Sequence, residues 1–348
     1  MGLRHRAAQV LHASGALGLA MRARRLAPPR SVPILTYHHV CDPGRDYRFD
    51  PDVADVTPAQ FRRQLGLITR HFTVIDLPTL ARGLDGAPLP PNPCLLTFDD
   101  GYRSNLTEAL PALRAVGATA VFFITTGFTT HRRLYWWDRI AYVVHQARGA
   151  QLRLTYPTAQ TVDLADRARA RATLVKVVKD TRALDLARFL DELAVAAAVP
   201  WDAAIERRLA DELIMTWDEV RALREAGMTI ESHTRDHRVL ETMPAAALAD
   251  DLAGARADLT RELGVDSRAI AYPVGRTIAR YPAVVASVAA AGYRLGFTNA
   301  SGKLDVRRPA ALDRFNLARV AVDRDLSDAM FLAQLAAPGF AYTRPETA

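Results

Sequence analysis

Beyond residue 30, short apolar runs alternate with amphipathic segments that carry clear helix-end signals. The runs "VPILTY" (32–37), "PCLLTF" (93–98), "TAVFFIT" (119–125), "MTIES" (228–232), "AIAY" (269–272), "YRLGFT" (293–298) and "NLARVAV" (316–322) have the length and composition of buried strands. "FTVIDL" (72–77) predicts a short extra strand. Between them, Thr57-Pro58 with Gln60 and Thr216 with Glu219 form two capping boxes, each opening a helix. Helices are also expected over 105–116, 244–263, from Pro282 to Gly292, and over "LSDAMFLAQLA" near the end; Gly117, Gly227, Gly264 and Gly292 supply stops.

Seven strands interleaved with helices predict a parallel α/β fold, closed or nearly closed into a barrel rather than an open sheet. No glycine-rich phosphate loop follows any strand, which disfavours a doubly wound nucleotide fold. Residues 129–215 break the rhythm. They are rich in Ala, Arg and Leu and predict a mostly helical insertion on the barrel. It opens with Trp136 and Trp137, whose continuation at helical spacing favours packing between insertion and barrel over stacking on a sugar ring.

Composition changes the picture in two places. The formal charge is +7, but residues 1–30 hold six arginines and no acidic residue, leaving 39 basic against 38 acidic residues elsewhere. The body at 31–340 is therefore no polyanion binder, and no nucleic-acid partner is expected. The basic segment 1–30 is too short in its uncharged part, "AAQVLHASGALGLAM", to span a bilayer. It reads as a helix on an anionic membrane surface, making peripheral membrane contact, or less well as a secretion signal. The two cysteines, Cys41 and Cys94, match no disulfide framework and no metal-ligand spacing.

The chemistry gathers at strand ends. The first strand runs into His38 and His39, the next into Asp99, Asp100 and Gly101, and a later one into His233 and His237. In a parallel barrel these C-terminal ends share one face, where active sites are built. Two histidines and a carboxylate make a catalytic metal shell with positions left open. The second carboxylate is then available as a general base, because Gly101 ends the strand and its alternation of faces.

These residues resemble the polysaccharide deacetylase family, carbohydrate esterase family four, over roughly 32–128 and 212–323. "TFDDG" matches its first motif and "SHTRDH" its second, while "AYPVG" is similar to its third, a wall of the substrate groove. The resemblance implies a distorted (β/α) barrel and removal of N-acetyl groups from an amino-sugar polysaccharide or oligosaccharide. It implies Asp99 as base, Asp100, His233 and His237 as ligands of a divalent cation, with zinc expected, and Tyr102, Pro273, Gly275 and Arg319 at the substrate.

Two departures stand out. Ala271 replaces the arginine of the third motif, and Arg319 is the candidate to supply a guanidinium to the base from another direction. No histidine follows His237, so the usual late acid is missing. "LTYHH" resembles the poly-N-acetylglucosamine deacetylase branch, which makes His38 the expected acid, with His39 second. Leu317 and Val320 are candidates to line a pocket for the acetyl methyl. A glycan-binding protein without turnover and a glycoside hydrolase are the alternative readings; the latter would leave the histidine pair unexplained.

Overall fold

The apolar runs become seven parallel strands in sequential order: β1 Ile34–Tyr37, β2 Pro93–Phe98, β3 Val121–Ile124, β4 Thr229–Ser232, β5 Ala269–Ala271, β6 Leu295–Ser301 and β7 Leu317–Ala321. Each pairs with the next, and β7 pairs with β1, so the sheet closes into a barrel. This computed structural model describes residues 3–44, 46–337 and 340. Residues 1, 2, 45, 338 and 339 of the expected tail and barrel lie outside the described residues.

Alternation along the strands divides the core in two. Ile34, Leu95, Val121, Phe123, Phe297 and Leu317 fall in one cluster, which fills the barrel. Their neighbours Leu35, Leu96, Phe98, Phe122 and Val320 fall in another, with Phe61, Leu113, Leu223 and Phe331 from the surrounding helices. The extra strand exists as Thr73–Val74 beside the first two residues of β2. Both capping boxes form, at Thr57 and Thr216.

Two local expectations need correction. The segment after the double aspartate is not one α-helix: Asn105–Ala109 is π-helical, and Leu110–Ala115 continues as α. Pro111 has no N–H to give to the preceding turn, so the ladder there widens instead. In the insertion, the helices Trp136–Gln146, Arg167–Asp180, Leu186–Ala196 and Ala203–Leu213 are joined by an antiparallel hairpin, Gln151–Leu154 with Gln160–Asp163. Its "QLRL" strand alternates exposed and buried residues, a period-2 signal only four residues long.

The insertion has its own core, in which Leu152, Val162, Leu174, Phe189 and Leu209 meet Trp136 and Trp137. Both tryptophans are buried, as expected for packing. At the other end of the chain, helices Leu3–Ala13 and Ala16–Arg24 place Ala8 and Leu17 against the helix Asp328–Ala336. Met21 enters the main core, and its carbonyl accepts 2.7 Å from Asn92. No helix among the described residues is long and apolar enough to cross a membrane.

Met21 is fully enclosed, so truncating it should cost what a core truncation costs. Met21→Ala is expected to destabilise the protein by about 2–4 kcal/mol in urea unfolding. A change below about 0.5 kcal/mol would mean that the first helices do not pack on the barrel in solution.

Candidate active site

Two adjacent carboxylates can serve one pocket only if the strand stops alternating between them. The break lies at Asp100 itself, which is left-handed at φ 73°, followed by Gly101 at φ 93°. Asp tolerates this region better than most residues. The cost is offset by anchoring, since the Asp100 carbonyl accepts from the Tyr135 hydroxyl at 2.7 Å and from Thr125 N–H at 3.3 Å.

Similar strain appears at the ends of β4 and β5. Thr234, His237 and Val274 have φ of 66°, 47° and 63°. Each such residue costs on the order of 1–3 kcal/mol and persists only where its surroundings hold it. The 234–237 turn is held by Asp251, whose two oxygens accept the N–H groups of Arg235 and Asp236 at 2.9 Å each. The Trp137 ring lies 4.5 Å from that of His237. Residues of the insertion thus brace both Asp100 and His237.

The ligand atoms of Asp100, His233 and His237 all lie within 4.8 Å of one another, and all three residues are buried. Asp100 Oδ1 stands 3.2 Å from His233 Nε2 and 3.3 Å from His237 Nε2, yet accepts no hydrogen bond. His233 Nδ1 is 2.8 Å from the Ala271 carbonyl, which fixes that nitrogen as the donor and turns the Nε2 lone pair toward Asp100. Three ligand atoms converging in a buried site could hold a metal ion between them. Two imidazoles and one carboxylate suit a zinc-like ion with open positions. Burial pushes the Asp100 carboxyl up, but the two facing imidazoles pull it well below the usual carboxylate range.

Arg319 on β7 is fully enclosed and forks Asp99, with Nη1 to Oδ1 at 2.8 Å and Nη2 to Oδ2 at 2.6 Å. Two further donors go to the Thr298 carbonyl and the Thr97 hydroxyl at 3.1 and 3.2 Å. Burial alone would raise the Asp99 carboxyl, but Arg319, with help from His233 and His38, leaves it below its ordinary value. The guanidinium therefore meets Asp99, as expected, and the expected substrate contact of Arg319 is not seen: the side chain is fully enclosed and four of its five N–H donors are taken within the barrel.

The two early histidines separate cleanly. His38 Nε2 lies 3.9 Å from Asp99, and its Nδ1 is 2.8 Å from Asp55, which also accepts the His38 backbone N–H at 2.5 Å. Burial would lower His38, but Asp55 overrides it, with Asp100 and Asp99 adding to the pull, and the imidazole rises to about 9. His39 is instead buried, 2.7 Å from the Ser104 hydroxyl and stacked on Tyr102 at 4.6 Å. Burial brings it down to about 4, so it stays neutral.

Tyr102 also departs from expectation. It is fully enclosed, its hydroxyl donating to Asp138 at 2.9 Å and accepting from Trp137 at 2.7 Å, so it supports the pocket from behind instead of touching substrate. Pro273 and Gly275 form a turn beside β5. A Cβ on Gly275 would fall 2.3 Å from the Asn299 Cβ, so only glycine fits there. Leu317 and Val320 do not share a pocket: three residues apart on a strand, they face the barrel interior and the helix layer respectively. Asp55, Asp251 and Tyr135 escaped the sequence reading. Asp55, alone among apolar residues in "VADV", carried the one usable signal, a carboxylate where burial was expected.

The polysaccharide deacetylase family model matches residues 86–296, more than half of the chain. Among solved structures, the chain is similar to the deacetylase PplD of Streptococcus pyogenes in complex with acetate. The identity is 19% and the TM-score 0.57, covering 90% of this chain and 100% of that one. It is also similar to IcaB from Ammonifex degensii (18%, TM-score 0.52, 89% and 99%) and to the deacetylase domain of BpsB from Bordetella bronchiseptica (20%, TM-score 0.53, 86% and 99%). These structures share its barrel fold. No curated protein matches the sequence.

Removing one partner of a buried ion pair leaves the other uncompensated. Arg319→Gln should therefore destabilise by about 3–5 kcal/mol in urea unfolding, and adding Asp99→Asn should restore part of that. The sign with pH follows from the lowered Asp99 carboxyl. Its contribution is complete above the unfolded value of about 3.9 and is lost on acidification. Arg319→Gln should weaken that acid dependence; an unchanged stability and acid limb would mean the fork contributes nothing.

Proposed function

This chain belongs to the polysaccharide deacetylase family, and we propose that it hydrolyses the N-acetyl group of an amino-sugar polymer, with Asp99 as base and His38 as acid. The observation that carries this reading is one arrangement. A carboxylate held ionised by Arg319 sits beside the Asp100, His233 and His237 cradle and 3.9 Å from a protonated imidazole.

A divalent cation held by Asp100, His233 and His237, with zinc the proposed ion, would supply Lewis-acid polarisation of the amide carbonyl and a more acidic water. Asp99 takes a proton from the water as its oxygen bonds to the amide carbon. Arg319 keeps both Asp99 oxygens oriented through that transfer. The C–N bond then breaks, and His38 gives its Nε2 proton to the departing nitrogen. One water is consumed, acetate and a free amine are formed, and Asp55 stabilises the imidazolium until it acts. The polymer gains positive charge at neutral pH.

The glycoside hydrolase reading needs one protonated carboxylic acid facing a carboxylate across the bond. Here Asp99 is paired with Arg319 and Asp100 faces two imidazoles, so neither is a protonated acid. The binding-protein reading leaves the buried Asp99–Arg319 pair beside the cradle without a purpose.

The test is acetate release from N-acetylglucosamine oligomers. Chelation should abolish it and added zinc should restore it. Asp99→Asn should lower the rate by about 100- to 10,000-fold while retaining one bound metal per chain. Metal-independent release, or an unaltered rate in Asp99→Asn, would overturn the mechanism.

His38 acts in its charged form, so the rate should fall as pH rises through its raised value. Asp55→Asn removes the main cause of that rise. The alkaline limb should therefore move to lower pH than in the wild type, and a limb that stays in place would exclude His38 as the acid.

A further inference from the structure

A cavity of about 770 Å³ is lined by none of the candidate catalytic residues. Ser31 and Asn92, which border it, precede β1 and β2, while Ser301 and Val320 belong to β6 and β7, so it runs along the outer side of the barrel to its N-terminal end. Asp99 follows the other end of β2, roughly 20 Å by strand rise from the Asn92 edge of the cavity. A volume of this size accommodates a small ligand.

Its charges are unbalanced. Arg24, Arg30 and Lys303 line it, and none of the three has an ion-pair partner among the described residues. The one carboxylate among the described lining residues, Asp305, is already gripped by Arg307. Arg24 and Lys303 do bond the carbonyls of Ala336 and Leu335, at 2.9 and 3.2 Å. A helix C-terminus offers only about half a negative charge, too little for two full cations. Burial, with Arg24 nearby, brings the Lys303 ammonium down to about 8. Among the described residues, the lining therefore offers no full negative charge to balance these cations.

The remaining lining specifies what else a bound anion would carry. Gln334 is buried there, and its Oε1 meets no hydrogen-bond donor. A ligand hydroxyl would supply one. Pro28, Pro29 and Val320 give an apolar side to the cavity. On the same N-terminal segment, Leu19 and Leu26 are 69% and 90% exposed, next to outward-facing Arg22 and Arg25. Exposed leucines among arginines suit the interface of an anionic bilayer.

We propose that this cavity binds a phosphorylated polyol, its phosphoryl group on Arg24, Arg30 and Lys303, and that its source is the glycerophosphate headgroup of an anionic membrane lipid. Occupancy would seat the barrel with its N-terminal end on the membrane and the catalytic end facing away. The inference does not depend on the reaction proposed above.

The experiment pairs calorimetric titration of the full chain with free glycerol 3-phosphate and co-sedimentation with phosphatidylglycerol or phosphatidylcholine vesicles. The wild type should bind glycerol 3-phosphate and sediment with phosphatidylglycerol vesicles only. Lys303→Gln, or the exposed Arg30→Gln should the first misfold, should weaken both by about tenfold, the loss of one charged phosphate contact. The melting temperature and acetate release should not change. Arg4→Gln with Arg6→Gln should weaken vesicle binding but leave glycerol 3-phosphate untouched. Glycerol 3-phosphate binding without vesicle binding would overturn the lipid as source. Failure to bind glycerol 3-phosphate, or binding indifferent to Lys303 and Arg30, would overturn the site.

Discussion

Two adjacent carboxylates at the mouth of a buried parallel strand are the constraint around which the active face is organised. Each would be expelled or neutralised if left unpaired. The structure solves the problem twice, by different means. Asp99 receives a guanidinium from inside the barrel, and Asp100 turns left-handed toward two imidazoles. The first solution gives an ionised carboxylate, the proposed base. The second leaves a cluster of donor atoms that could hold a cation. Chemistry and charge compensation are thus the same arrangement.

That arrangement is strained, and the strain is borne by neighbours outside the site. Asp100, Thr234, His237 and Val274 all have positive φ, and two of them are β-branched residues for which this is costly. Asp251 on the helix Ala245–Leu263 ties down the second-motif turn through two backbone N–H groups. Tyr135 and Trp137, which open the insertion, hold the Asp100 backbone and pack on the His237 ring. The insertion is therefore a wall of the metal cradle as well as an appendage with its own core. Its first helix could not be shortened without loosening both ligands.

What the sequence reveals here follows the range of each interaction. Strand runs, capping boxes and the helix stop at Gly264 are local, and they appear in the chain where the structure has them. The carboxylate and histidine ligands were legible because a parallel barrel sends every strand's C-terminal end to one face. The hairpin at 151–163 was not, since four alternating residues are too few to outweigh helical composition on either side. Asp55, Asp251 and Tyr135 act over 15 to 35 residues of separation through bonds that no local pattern encodes. Tyr102 illustrates the opposite error. Its place next to the motif suggested contact with substrate, but its neighbours Trp137 and Asp138 claim the hydroxyl first.

The base also depends on the topology of the sheet. Arg319 lies on β7 and Asp99 follows β2, and 220 residues separate them. They come together only because β7 pairs with β1 and β1 with β2, the two contacts that close the barrel. In an open sheet of the same strands the guanidinium would have no route to the carboxylate. Closure therefore does more than remove sheet edges: it delivers the charge that keeps the base ionised. The guanidinium arrives fully desolvated beneath Asp99, where its field is stronger than it would be in water. This explains how the third motif can lack its arginine. With Ala271 at that position, the backbone carbonyl remains free to orient His233. Orientation of Asp99 has passed to the strand that completes the barrel, so on the proposed mechanism barrel closure also sets the base.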